Sequence, residues 1–215
     1  MSLPAELLRT MARAVGLLVA VAVAGVAVVS FTHLQTREHI DTRQHEQTLR
    51  QLDAVLPAAA YTNNPAEETI TIDDGRLGTD EPVTVYRARH NGEPVAVILP
   101  VTAPDGYSGP IELLVAIRAD GSVAGVRVLN HRETPGLGDA IESARSDWLE
   151  GFEDRSLGDP PREGWTVHRR GGEFDGISGA TITARAVIQA VARALDVFED
   201  RRDELLGERR ESGDT

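Results

Sequence analysis

At 215 residues, 41% of them apolar, the chain has room for one domain of ordinary size plus attachments, and enough apolar material to fill a core. It contains no cysteine, which excludes disulfides, thiolate zinc sites, cysteine-held iron–sulfur clusters and a cysteine nucleophile. The formal charge of -12, carried by dispersed acidic residues, argues against nucleic acid and against adsorption to an anionic bilayer surface; it reads as a solvated acidic exterior.

Residues 1–13 carry Arg9 and Arg13, and residues 14–31 then run without a charged side chain, interrupted by Gly16, Gly25 and Ser30. Eighteen residues rising 1.5 Å each span about 27 Å, close to the hydrocarbon thickness of a bilayer, so the run predicts one transmembrane helix. The two arginines ahead of it predict a cytoplasmic N-terminus, with the bulk of the chain on the far side. A cleaved signal peptide is the alternative, because Ala20-Val21-Ala22 and Ala22-Val23-Ala24 have the small-x-small form, though inside the run rather than after it. Residues 32–53 are polar and charged with few breakers, and a thin apolar stripe at Ile40, Leu49, Leu52 and Val55 precedes Pro57, which predicts a helical stalk over 32–60. His33, His39 and His45 recur every six residues, a spacing that turns successive side chains about 120° apart on a helix, so no metal site is expected from them.

A compact domain is expected over 61–199. Thr69–Ile72 is a short candidate strand. Val83–Ala88 and Val95–Leu99 flank Asn91-Gly92, a hairpin turn signal, and 111–117 and 122–129 flank Ala119-Asp120-Gly121 in the same manner. The pairs predict an antiparallel sheet. Between them lies Asp105-Gly106-Tyr107-Ser108-Gly109-Pro110, either a plain crossover or a loop lining a planar ligand with the Tyr107 ring.

The second hairpin is followed by His131-Arg132-Glu133-Thr134-Pro135-Gly136-Leu137-Gly138. Gly136 and Gly138 permit positive φ or close ligand approach, Pro135 stiffens the turn, and Glu133 and Thr134 offer hydrogen bonds, a set suited to a polar ring edge. The bland alternative is a connector in which Asp139 caps a helix over about 139–148. Residues 153–164 read as an exposed loop, 165–168 as a short strand, and Arg169-Arg170-Gly171-Gly172 as a solvated turn whose arginines can also neutralise an anion. Residues 200–215 are mostly charged and are expected to fray into disorder.

Asp175-Gly176-Ile177-Ser178-Gly179-Ala180-Thr181-Ile182-Thr183 leads into the last strongly patterned helix, with apolar residues at Ile182, Val187, Val191, Leu195 and Phe198 and Ser178 as its expected N-cap. Unpaired amides and the positive end of the helix dipole favour a phosphate there, and Gly176, Gly179 and Ala180 leave its approach open. The Thr181 hydroxyl falls in the first turn, where it can be esterified to the phosphate it faces; Thr183 adds a second hydroxyl.

Asp175-x-x-Ser178-Gly179-Ala180-Thr181 resembles the flavinylation motif D-x-x-[S/T]-G-A-T of FMN-binding domains, in which a flavin transferase joins FMN through a phosphodiester to the final threonine. Residues 106–110, the H-x-E-T-P-G-L-G run at 131–138, Asp147-Trp148 with Phe152, and Phe174-Asp175 leading into S-G-A-T-I-T are together similar to the G subunit of the Rnf (Rsx) electron transport complex, over nearly the whole chain. The resemblance implies an α+β fold: an N-terminal transmembrane helix and stalk, then one FMN-binding domain with an antiparallel sheet and packed helices. It also implies covalent FMN on Thr181, with Asp175, Ser178, Gly179, Ala180 and Thr183 around the phosphate and Tyr107, Glu133, Thr134, Pro135, Gly136 and Leu137 facing the flavin. The partners implied are the other subunits of a membrane complex passing electrons between ferredoxin and NAD+, a flavin transferase and the lipid bilayer; the location implied is the bacterial inner membrane with the flavin domain outside. No catalytic acid or base is required. Three alternatives stay open: the C subunit of the sodium-translocating NADH:quinone oxidoreductase, an anchored scaffold without flavin, and a stand-alone flavin reductase, for which no G-x-G-x-x-G fingerprint is present.

Overall fold

The computed structural model describes residues 5–207, and within the first helix it describes only the backbone of residues 5–10, 12, 28, 29 and 31–45. The chain divides into two units, residues 1–47 and 48–215.

The first unit lies in α1, Ala5–Asp53, an unbroken helix of 49 residues. The described apolar side chains between residues 11 and 30, among them Val15, Leu17, Leu18, Val21, Val23 and Val26, are all exposed. Among the described residues no helix is long and apolar enough to cross a membrane. The run expected to do so, 14–31, includes residues 28, 29 and 31, whose side chains lie outside the described set, as do those of His33, His39 and His45.

The second unit is built on a five-stranded antiparallel meander: β1 Thr69–Ile72, β2 Val83–His90, β3 Glu93–Ala103, β4 Ile111–Arg118 and β5 Val123–Asn130, lying side by side in sequence order. Asn91 and Gly92, at φ 52° and 91°, form the β2–β3 turn; positive φ at both positions gives the twist that hairpin strands need. In β3 and β4 the pairs Val97/Ile117, Leu99/Val115, Val101/Leu113 and Ala103/Ile111 are buried on one face. Ala96, Ile98, Leu114 and Ala116 are buried on the other. Burial on both faces is why these strands read as continuous apolar runs rather than alternating ones.

The first face packs under α2, Thr181–Asp200, through Ala184, Val187, Val191, Leu195 and Phe198, all buried. Full burial contributes about 1.5–3 kcal/mol for each of the larger side chains. Ile182, expected on the same apolar face, is instead 44% exposed, while Thr183 and Ala184 in the same turn are buried. The second face is covered by Leu52, Val55 and Leu56, so the end of the predicted stalk belongs to the domain core. A β-carbon at Gly125 would come within 2.4 Å of the Val55 carbonyl oxygen, which explains how closely that segment lies on β5.

Three expectations change. Residues 139–148 do not form a helix; the segment is a chain of 3-10 turns at Gly138–Ile141 and Trp148–Phe152, and Asp139 caps nothing. The Ser146 hydroxyl donates to the Ala140 carbonyl (2.6 Å) across the intervening turn, and Trp148 Nε1 donates to the Asp175 carbonyl (2.9 Å) at its end. Over 165–168 the expected strand reduces to one bridge, Val167 to Phe174, beside a buried cluster in which Phe174 lies 4.9 Å from both the Phe152 and the Trp165 ring centroids. Residues 200–207 do not fray. They form α3, Arg202–Leu206, with Leu205 and Leu206 buried. Arg87 donates to the Leu205 and Glu204 carbonyls (2.7 and 2.6 Å) and Arg89 to that of Leu206 (2.8 Å), cations at a helix C-terminus where they are favoured. Residues 208–215 lie outside the described set.

Candidate functional site

Four segments meet at the N-terminal end of α2: the β3–β4 connection around Tyr107, the 131–138 loop after β5, the His168–Arg170 turn, and residues 175–180 that lead directly into the helix. Thr181 is the first residue of α2, as its place in the sequence predicts. Ser178 is not the cap. The N-cap is Ala180, and no side chain accepts a hydrogen bond from the first turn. Gly179, at φ 78°, turns the chain into the helix, and a β-carbon there would stand 2.9 Å from Leu137 Cδ2. An uncapped helix start reached through a left-handed glycine leaves open amide donors at the positive end of the dipole.

Thr181 is half-buried and lines two adjoining clefts. The larger, about 500 Å³, is bounded by Tyr107, Glu133, Thr134, Leu137, Gly138, Ile182 and Thr183 together with Gly179 and Ala180. Tyr107, Leu137 and Ile182 are 67%, 46% and 44% exposed, an apolar rim around a polar floor. The smaller, about 280 Å³, is bounded by His168, Asp175, Gly176, Ser178 and Gly179. Arg169 lines both.

Of the residues singled out from the sequence, Tyr107, Glu133, Thr134, Leu137, Gly179, Ala180, Thr181 and Thr183 share the larger cleft, and Asp175 and Ser178 the smaller. Pro135 and Gly136 line neither. They shape the loop: Leu137 and Gly138 donate backbone hydrogen bonds to the Thr134 carbonyl (3.2 and 2.9 Å), with Gly136 at φ 78° between them. The Asp175 carboxylate is exposed and 3.5 Å from His168 Nε2, while its carbonyl accepts from Trp148 Nε1 at 2.9 Å. Glu133 is 4% exposed; its carboxylate accepts from the Ser108 amide (2.9 Å) and from the Thr183 hydroxyl.

Sequence reasoning treats Arg169 chiefly as part of a solvated turn and Ile182 as core. Arg169 reaches the clefts because its turn is pinned: His168 donates its amide to the Phe174 carbonyl (2.8 Å), Val167 is buried, and Gly172 sits where a β-carbon would be 1.9 Å from the Thr166 carbonyl oxygen. No local signal carries that. Among the described residues no cluster of metal-binding side chains occurs.

A cleft of this volume with an apolar rim, an open helix N-terminus and a hydroxyl at the junction fits a planar cofactor bearing a phosphate. Residues 106–196 match the FMN-binding domain family, and residues 1–55 match the RnfG N-terminal region. The chain is 45% identical over 206 residues to the G subunit of the ion-translocating oxidoreductase complex of Pseudomonas aeruginosa, covering 95% of this chain and 96% of that protein. It is 48% identical over 171 residues to the protein of that name from Cereibacter sphaeroides (80% and 76% covered), and 39% over 191 residues to that of Vibrio cholerae (88% and 91%). The chain therefore belongs to the family of G subunits of ion-translocating oxidoreductase complexes.

Proposed function

We propose that this chain is the flavin-bearing redox subunit of an Rnf-type ion-translocating complex, with FMN held by a phosphodiester to the Thr181 hydroxyl oxygen. The observation that supports this most directly is the position of Thr181: first residue of an uncapped helix, with its side chain opening onto both clefts. FMN, when bound, supplies one- and two-electron transfer; the protein supplies attachment, orientation and electrostatic surroundings. The amides of the first turn and the Arg169 guanidinium bind the phosphate, a pairing that guanidinium geometry favours. Tyr107, Leu137 and Ile182 cover the apolar ring system, and Thr134 offers hydrogen bonds to its polar edge. Ser178, Gly179 and Ala180 keep the approach to Thr181 free of bulky side chains. Such a relay never exchanges its cofactor with solvent, and it calls for no general acid or base.

In the same reading residues 14–31 cross the inner membrane with the N-terminus in the cytoplasm, residues 32–47 act as a stalk, and the flavin domain stands outside, taking electrons that run between ferredoxin and NAD+ through the other subunits. The exposed valines and leucines of α1 support a lipid-facing role for that helix. A flavin transferase carries out maturation.

The test is intact mass of the full chain co-expressed with a flavin transferase, beside Thr181→Val. A gain equal to FMN less water in the wild type and none in the variant is expected; no gain in either, with the transferase active on a control substrate, rejects the reading and leaves an anchored scaffold without flavin.

A further inference from the structure

The Glu133 carboxylate is buried in the floor of the larger cleft, yet its oxygens are already engaged by the protein. Oε1 accepts from the backbone amide of Ser108, in the β3–β4 connection, and Oε2 accepts from the hydroxyl of Thr183, in the first turn of α2. These donors are 25 and 50 residues away in sequence and stand on separate walls of the cleft. Glu133 is itself held from behind: its amide donates to His131 Nδ1 (3.0 Å), and His131 Nε2 meets Glu142 Oε1 at 2.8 Å. Among the described residues the carboxylate makes no ion pair.

The surrounding space is closed as tightly as the bonds. A β-carbon at Gly106 would sit 3.0 Å from Oε1; one at Gly138 would sit 2.7 Å from the Glu133 β-carbon and 3.0 Å from Oε2. Both walls are thus drawn against this one side chain, through backbone that carries no side chain there. A group that is 4% exposed and bonded on two sides holds its neighbours in place, since releasing either donor removes a hydrogen bond from a largely desolvated carboxylate.

We infer that Glu133 is a positioning residue, a clamp that sets the separation between the Tyr107 loop and the Thr181 turn, and so the width of the flavin cleft, rather than a contact to the flavin. This rests on the reading of Thr181 as the attachment site. Thr183, two residues along the same turn, is its second half: one hydroxyl carries the ester and the other ties the turn to the floor. Misplacing a reacting group by about 1 Å is enough to slow a reaction on the order of a hundredfold, so releasing the clamp is expected to slow attachment at Thr181 by at least about tenfold.

The experiment uses the full chain with Glu133→Ala, Thr183→Val and Thr183→Ser, measuring three quantities: hydrogen exchange at the Ser108 amide before attachment, the rate of FMN gain by intact mass with purified flavin transferase, and the visible circular dichroism of the attached flavin. Thr183→Val keeps the side-chain shape and removes one donor, so the question stays answerable if Glu133→Ala does not fold. Expected are loss of Ser108 protection in Glu133→Ala, attachment slowed at least about tenfold in Glu133→Ala and Thr183→Val with altered circular dichroism of whatever flavin is gained, and wild-type behaviour restored in Thr183→Ser. Wild-type attachment rates and spectra in Thr183→Val overturn the clamp while leaving the Thr181 reading intact. A wild-type chain that gains no flavin overturns both.

Discussion

The sheet and the segment from 131 to 181 hold the molecule together in different ways. In β3 and β4 the structure is repetitive: neighbours in space follow from strand pairing, and each inward side chain meets apolar surface contributed by the next strand and by α2. Between β5 and α2 there is no regular helix or strand, only 3-10 turns pinned by particular contacts such as Trp148 to the Asp175 carbonyl, His168 to Phe174 and Glu133 to Ser108 and Thr183. Stability and site geometry are therefore separable in this molecule. Changes in the sheet should cost folding free energy with little specific effect on the clefts, and changes at the exposed cleft-lining positions of the turns, away from the buried Phe152, Trp165 and Phe174, should do the reverse.

The largest test of that separation is Thr181→Val, a nearly isosteric change at a half-buried position. It should abolish covalent flavin entirely by intact mass while moving stability by no more than about 0.5 kcal/mol in chemical denaturation. Its mirror is Leu113→Ala in β4, where a fully buried side chain leaves a cavity. Denaturation should report a loss of about 2–5 kcal/mol, with Thr181 still modified in the folded fraction. Comparable loss of attachment in Leu113→Ala would show that the two regions are not separable.

Gly179→Ala sits on the boundary. Its φ of 78° and the 2.9 Å approach to Leu137 Cδ2 make any side chain strained there, so about 1–3 kcal/mol should be lost together with most of the attachment rate. Arg169→Gln should leave the denaturation midpoint unchanged and slow attachment about three- to tenfold if, as proposed, its exposed guanidinium makes a charge-assisted contact to the phosphate; Arg170→Gln, on the same turn but lining neither cleft, serves as the control.

The smallest effect concerns the back of the sheet. Burial, reinforced by a hydrogen bond to Asp53 (2.5 Å) and by its charge, pushes the Tyr61 phenol from 10.0 up to about 12. A pKa raised on folding means the neutral phenol is favoured in the folded state. Its contribution is fully present below pH 10 and is lost as pH rises through about 12. Tyr61→Phe should flatten the alkaline limb of the stability profile in that window and leave attachment at Thr181 untouched; a steep limb in the variant would assign the alkaline loss to other groups.

Much of the sheet is legible in the sequence because strand chemistry is local. Asn91-Gly92 marks its turn by backbone conformation alone, and the apolar runs of β3 and β4 are long enough to need no partner to be recognised. The 139–148 stretch has a composition that allows a helix, while its turns are held both by contacts within it, such as Ser146 to the Ala140 carbonyl, and by contacts outside it, such as Trp148 to the Asp175 carbonyl and His131 to Glu142. Residues 200–207 look like a charged tail; only the burial of Leu205 and Leu206, and the reach of Arg87 and Arg89 from β2, make them a helix. Ser178 satisfies every local preference for an N-cap, yet the chain passes through Gly179 and starts α2 at Thr181.

Backbone preferences and apolar spacing within a few residues are enough to specify the hairpins, the patterned face of α2 and the hydroxyl at its start. They do not reach far enough to stand Arg169 beside Thr181, to turn Ile182 toward solvent, or to join the two walls of the cleft through Glu133. Those arrangements depend on where separate segments are brought to rest by packing, and no short stretch of chain carries that information.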